Sequence, residues 1–366
     1  MTTTGIRRFE ERVIGGYVAD ATDIAIFRII YASYLLFQIV PIASWLPQTP
    51  QAFFHPPIGF AAFFTAPPSA FVIVGLNLLL SLFASMLLVG WRTRVASLGT
   101  GLTLLILNSW SYSLGKIDHE VLLVIAPLVM RYSCWGSSLS VDSIRPPHAA
   151  CEESNASPLA LLAILIGFAM FTSGWSKATS GWLDSNRLCT YGYVVGRELQ
   201  SGRETSVVQW ALAIDSVWFW KMADWTTVVF ELAFLPAALF GRSFRFMLIV
   251  ASCFHLCVLL LLDIPFSANL IVYGAFVPYT TIPFFRSAAS TCTLSTARAM
   301  TLWGAVISVG VVSTFSERAL ATAIHFPLPA VVIWIGAVTG AFFAYRVLCG
   351  FLSGVHPSPA NEEFRR

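Results

Sequence analysis

Two ionisable residues stand inside stretches that are otherwise apolar. Arg28 lies in Asp23-Ile-Ala-Ile-Phe-Arg28-Ile, and Glu231 lies in Thr226-Thr-Val-Val-Phe-Glu231-Leu-Ala-Phe. A charge surrounded by apolar chain is costly, so such a residue marks either a structural pin or a site that moves substrate or protons. An ion pair between Arg28 and Glu231 would lower the cost of burying each. Glu231 alone could instead carry a proton. Three further polar groups could do chemistry: Asn108 to His119, Gly174-Trp-Ser-Lys177, and His255 flanked by Cys253 and Cys257. A lysine at the edge of an apolar run can snorkel to the interface. A histidine on an apolar helix can be a hydrogen-bonded core residue or a ligand, and both readings stay open for His255.

The elements that must position these groups follow from composition. The 366 residues are 57% hydrophobic and 11% charged, with a mean hydropathy of +0.73. Soluble domains are about 45–50% apolar and about 25% charged. The expected fold is therefore all-α: a polytopic integral membrane helical bundle with the lipid bilayer as its first partner. A helix needs about 20 apolar residues to cross about 30 Å of hydrocarbon. Spans are expected near 23–45, 70–90, 95–113, 158–175, 225–240, 244–262, 267–283, 299–313 and 329–349. His119–Met130 is either a short span or a re-entrant helix, which makes nine or ten transmembrane segments. Ten crossings with both termini cytoplasmic place fourteen basic residues on the cytoplasmic side and seven opposite, as the positive-inside rule prefers.

This map divides the chain into a cytoplasmic N-terminal segment (1–20), a transmembrane domain (21–350) and a cytoplasmic tail (351–366). Residues 131–157 read as a polar cytoplasmic linker. Residues 176–224 read as a non-cytoplasmic loop, partly interfacial because it carries Trp182, Trp210, Trp218 and Trp220. The seven cysteines are scattered without a CxxC pair, so neither a disulfide framework nor a metal site is expected. The near balance of 22 basic and 19 acidic residues gives no reason to expect a nucleic-acid partner.

Six short motifs, in order, resemble the HTTM (horizontally transferred transmembrane) domain family, related to the membrane module of vitamin K-dependent gamma-carboxylase. They are Asp23…Phe27-Arg28, Gly90-Trp-Arg-Thr-Arg94, Asn108 with Asp118-His119, Phe171-Thr-Ser-Gly174-Trp-Ser-Lys177 followed by Trp182, Phe230-Glu231-Leu-x-x-x-Pro236, and His255. The resemblance runs from about Asp23 to Pro283. In the carboxylases a reduced naphthoquinone is deprotonated and reacts with oxygen to become an epoxide. The strong base so formed takes a proton from a glutamate side chain, and carbon dioxide adds to the carbanion.

The resemblance implies Lys177 as the base that activates the hydroquinone and His119 as the group that stabilises the reactive intermediate. It implies substrate-binding roles for Asn108, Asp118, Trp175 and His255. The implied cofactor is a menaquinol or vitamin K-like naphthoquinol, with no metal. Apolar surroundings disfavour a charged ammonium, and a dry pocket would protect a strong base from quenching.

The carboxylases carry a large lumenal domain after the membrane module, whereas this chain ends in a short polar tail at Arg366. Carboxylation of a protein glutamate by this chain alone is therefore not expected. Bacterial relatives without that domain include a membrane protein needed to mature a secreted peptide toxin. Modification of a peptide or small molecule in a bacterial cytoplasmic (inner) membrane is thus one expectation. A non-catalytic scaffold that assists maturation or export of a secreted peptide, with a partner membrane protein, is the alternative. A transporter is a third, disfavoured by the lack of an inverted repeat.

Overall fold

A computed structural model describes residues 3–55, 60–112, 120–144, 156–202, 205–291 and 296–352. These residues form helices and turns with no strand among them. The helices are α1 (Thr3–Gly15), α2 (Ala21–Tyr34), α3 (Ala70–Val89), α4 (Thr93–Ser111) and α5 (Val121–Met130). Next come α6 (Ala156–Thr179), α7 (Cys189–Ser201), α8 (Ser206–Leu212), α9 (Val217–Ala237) and α10 (Gly241–Leu262). The last five are α11 (Ser267–Tyr273), α12 (Pro283–Thr291), α13 (Thr296–Ser316), α14 (Leu320–Ala323) and α15 (Leu328–Leu352). Among the described residues, six helices are long and apolar enough to cross a membrane: α2 with its π-helical extension to Ile39, α3, α6, α10, α13 and α15. Helices α4 and α9 have spanning length, at 19 and 21 residues. They are more polar, and α9 carries Lys221, Asp224 and Glu231.

One expected span is shorter than the sequence suggested, and the expected short segment is a half-length helix. Residues 267–283 contain only the 7-residue α11, followed by 3-10 turns at Gly274–Phe276 and Tyr279–Thr281. Pro278 and Pro283 lack the N–H that a continuing helix would use. Of the stretch expected over His119–Met130, the described residues form the 10-residue α5, with Pro127 inside it. At 1.5 Å per residue it covers about 15 Å, half the hydrocarbon thickness.

The chain divides into two compact units. The first comprises Val18–Leu162 and Ile271–Leu328. There the start of α2, the end of α3, the start of α4 and residues 131–144 converge at one end. Asp20 caps α2 by accepting from Thr22 N at 2.6 Å. The Asp142 carboxylate accepts from Arg92 N and Thr93 N, both at 2.8 Å, and so caps α4 from a distant part of the chain. Trp135 is fully enclosed, its indole donating to Ser97 Oγ at 3.1 Å and its ring facing Phe27 and Tyr31. Tyr31 donates to Leu123 O at 2.6 Å. Short as it is, α5 therefore brings the chain back to the end where α4 began. Cys134 in this stretch is disulfide-bonded, although the scattered cysteines had suggested none. Spacing along the chain does not reveal which thiols folding brings together.

The second unit comprises Met1–Tyr17, Ala163–Leu270 and the chain from Pro329. Its spine is α9, packed against α6 and α10. Phe230 of α9 meets Phe254 of α10 at 5.1 Å, and Phe234 meets Phe244 at 6.2 Å. The stretch 176–224 is not a loop in the main: α6 runs on to Thr179, α7 and α8 follow, and α9 already begins at Val217. Val194, Val208, Ala211 and Trp220 form a small core of their own there. Arg197 ties it to α10 by donating to Leu262 O at 2.9 Å.

Candidate functional site around Lys177 and Glu231

Helices α6 and α9 approach closely because α6 presents glycine to its neighbour. A Cβ at Gly174 would lie 2.9 Å from Glu231 Cβ and 3.0 Å from Leu232 N. Two turns earlier in α6, Gly167 meets Leu235 and Phe234 in the same way, with 3.1 Å to the nearest atoms. Two glycines seven residues apart lie on one helix face. That face continues to Lys177, three residues beyond Gly174, which points it at Glu231.

The resulting contact is bidentate. Lys177 Nζ donates to Glu231 Oε1 and Oε2, each at 2.7 Å, and to Ser173 Oγ at 2.8 Å. Ser173 lies four residues before Lys177 on the same face. All three ammonium protons are thus taken up. The carboxylate side chain is 6% exposed and the lysine side chain 23%, so the amine can still be reached from outside. Trp182 covers part of that approach, with its ring centre 5.5 Å from Nζ, and the ring in turn contacts Tyr193 at 5.8 Å. Trp175, two residues before Lys177 and therefore on another face of α6, stacks on Phe171 and is 60% exposed.

A second ion pair lies on the first turns of α9. Lys221 and Asp224 are 3.1 Å apart, with side chains 3% and 0% exposed. Lys221 Nζ also donates to Trp182 O at 2.9 Å and Arg187 O at 2.6 Å. Asp224 accepts from Cys189 N at 3.0 Å and Thr190 N at 2.7 Å, the first residues of α7. Burial and the Asp224 carboxylate push the Cys189 thiol above its ordinary pKa, because both disfavour a thiolate.

The expected ion pair between Arg28 and Glu231 is replaced by two separate arrangements. Glu231 takes Lys177. Arg28, wholly buried, donates from Nη2 to Leu139 O at 2.5 Å and from Nη1 to Leu87 O at 3.3 Å. Gly90 ends α3 in the left-handed conformation (φ 71°) and has to be glycine there, since a Cβ would strike the Arg28 guanidinium and Ser140. Two of the three guanidinium nitrogens thus bind backbone carbonyls, while Nε is buried without a hydrogen-bond partner among the described residues.

Other expected site residues are placed as follows. Asn108 is buried in α4 and donates to Leu104 O at 2.9 Å, one turn back on its own helix. His255 is buried in α10, stacked on Phe266 at 4.8 Å. Asp118 and His119 lie outside the described residues. Ser173, Lys221 and Asp224 were not singled out by the sequence reading. The signal for the last two was their i, i+3 spacing, which pairs side chains only on a helix. No group of three or more His, Cys, Asp or Glu suited to a metal ion occurs among the described residues.

No curated protein and no solved structure matches the chain. A family model does, over residues 18–280, with the description HTTM domain. This stretch runs from the start of the first spanning helix, through both ion pairs, to the turn at Tyr279. The chain is a member of the HTTM domain family, an all-helical integral membrane protein whose membrane module is related to that of gamma-carboxylase.

Proposed function

We propose that this chain is a membrane-embedded enzyme that uses a reduced naphthoquinone and oxygen to modify a peptide or small molecule, with Lys177 as its base. The observation that carries the reading is the pairing of Lys177 with Glu231, since a base buried at a membrane site needs somewhere to put its proton. With the proton on nitrogen, both partners are charged. Moving one proton from Nζ to a Glu231 oxygen leaves both neutral, a form that scarcity of water favours. The amine then has a lone pair with which to accept a proton from an acidic O–H set beside it. Ser173 holds the amine in place during the exchange. Once the amine has taken the proton from the O–H, the pair carries one proton more than at the start, and Glu231 must release its proton to water for the ion pair to re-form.

The residues present fit a naphthoquinol. Its flat ring system calls for flat apolar surface, and its hydroxyl calls for a reachable base. Trp182 sets an aromatic ring beside Lys177, and on another face of α6 the exposed Trp175 offers a second ring to the hydrocarbon. When bound, the quinol supplies the acidic O–H and the electrons that reduce oxygen. The setting we propose is a bacterial cytoplasmic (inner) membrane with both termini cytoplasmic.

One observation favours a scaffold instead. All three Nζ protons are already satisfied by Ser173 and Glu231, as in a pin between helices. The test is oxygen uptake by the purified protein in nanodiscs with a reduced naphthoquinone. Uptake with epoxide formation that disappears in Lys177→Ala establishes the enzyme. Uptake no greater than that of empty nanodiscs, from folded protein, leaves the pin and turns attention to a secreted-peptide or membrane-protein partner.

A further inference from the structure

The Lys221–Asp224 pair takes no part in the proton exchange, yet it is the most completely enclosed ion pair described in its unit. Such pairs are expensive, and removing either partner leaves a charge in a dry site. Its contacts show where the cost is recovered. Residues 180–188 link α6 to α7. The pair grips this link at both ends: Lys221 holds the carbonyls of Trp182 and Arg187, and Asp224 holds the amides of Cys189 and Thr190. Every Lys221 proton and both Asp224 oxygens are engaged, the condition under which a buried network fixes one geometry. At the near end, Trp182 N also approaches Lys177 O at 3.4 Å.

A cap for α7 would need only Asp224. Lys221 adds something that capping does not require, a bond to the backbone of the residue whose ring covers Lys177. Trp182 is therefore fixed twice, by Lys221 through its carbonyl and by Tyr193 through its ring. We infer that Lys221 and Asp224 are positioning residues, which hold the 180–188 link as a strap and so keep Trp182 over the Lys177 amine, limiting its access to water and reagents. This deepens the reading of Lys177 as a reachable base, and its geometry stands whether or not a quinol is the ligand.

The test reads the amine directly. Full-length protein in nanodiscs is treated with acetic anhydride, and Lys177 acetylation is followed by peptide mass spectrometry. Trp182→Ala should raise the acetylation rate about two- to fivefold, the factor that corresponds to a partly exposed cation–π contact. Trp182→Phe should restore the wild-type rate. The charge-neutral double variant Lys221→Met/Asp224→Asn should match Trp182→Ala although it leaves residue 182 untouched.

A double variant that unfolds at lower temperature but acetylates Lys177 at the wild-type rate would reduce the pair to a helix cap and overturn the inference. Should that variant not fold, Trp182→Ala decides alone: an unchanged rate overturns the strap. Failure of the quinol reading looks different, because wild-type protein would then lack oxygen uptake while the acetylation rates still follow Trp182.

Discussion

Two buried cations are handled in opposite ways. Arg28 is sealed from solvent and held by backbone carbonyls at the junction of α2, the end of α3 and residues 131–144. Lys177 is 23% exposed and held by a carboxylate and a hydroxyl between α6 and α9. A guanidinium stays protonated in proteins, and carbonyl oxygens cannot take a proton from it. Its arrangement can only hold segments together. An ammonium facing a carboxylate has a partner that can take its proton and a surface through which another molecule can approach. The difference in ligands, more than the difference in burial, separates a rivet from a candidate proton site.

The comparison breaks first at Arg28. Replacing it with alanine strands two buried carbonyls, at about 1–3 kcal/mol each, and leaves a void that costs more. A loss of about 4 kcal/mol is expected, read as a fall in the thermal midpoint of the protein in detergent. Arg28→Lys should recover only part of it, since a lysine lacks the fork that spans two carbonyls. If Arg28→Ala unfolds at the wild-type temperature, Arg28 is not the rivet described.

The Lys177 pair should respond differently. Lys177→Met leaves Glu231 charged and nearly enclosed, and removal of one partner from a fully buried pair costs about 3–5 kcal/mol. Partial exposure of Lys177 lowers the expectation to about 2 kcal/mol. Adding Glu231→Gln to Lys177→Met should restore most of that stability, because no lone charge remains. Oxygen uptake, if Lys177 is the base, should be absent from both variants. Stability regained without activity would separate proton chemistry from pinning, and a double variant as unstable as the single one would contradict the pairing.

A smaller effect tests the surface that brings the pair together. Gly174→Ala puts a methyl group 2.9 Å from Glu231 Cβ. Forcing that contact should cost about 1–2 kcal/mol and move α6 away from α9. Lys177 would lose its bidentate geometry, so the acetylation rate of its amine should rise along with the fall in thermal midpoint.

Much of this was legible in the chain. Lys177, Glu231 and Arg28 stood out because charges are conspicuous in apolar runs, and the HTTM motifs carried their order. The pairing was not legible, because nothing in one sequence says which helices are neighbours. Gly167 and Gly174 held a partial answer: small residues on the face of Lys177 marked where another helix comes close. Lys221 and Asp224 were hidden by their own charge. They made the start of α9 look like loop, and the expected span was begun at Trp225. The span expected over 267–283 failed for the converse reason, since apolar composition outweighed Pro278 and Pro283.

The smallest expected effect lies back at the Arg28 end and sharpens what that region owes to charge. Asp142 caps α4 with both carboxylate oxygens and also receives Thr93 Oγ1 at 2.9 Å. Asparagine keeps one acceptor oxygen and can still receive a backbone amide, so the cap should survive in part. It loses the negative charge that faces the positive end of α4, worth about 0.3–1 kcal/mol. Asp142→Asn should therefore lower the thermal midpoint by far less than Arg28→Ala, with a loss that diminishes in high salt. A loss as large as that of Arg28→Ala would mean that the two charges act as a buried ion pair. Carbonyl ligation of Arg28 would then be the lesser part of its hold, and the contrast with Lys177 would narrow to which partner can reach solvent.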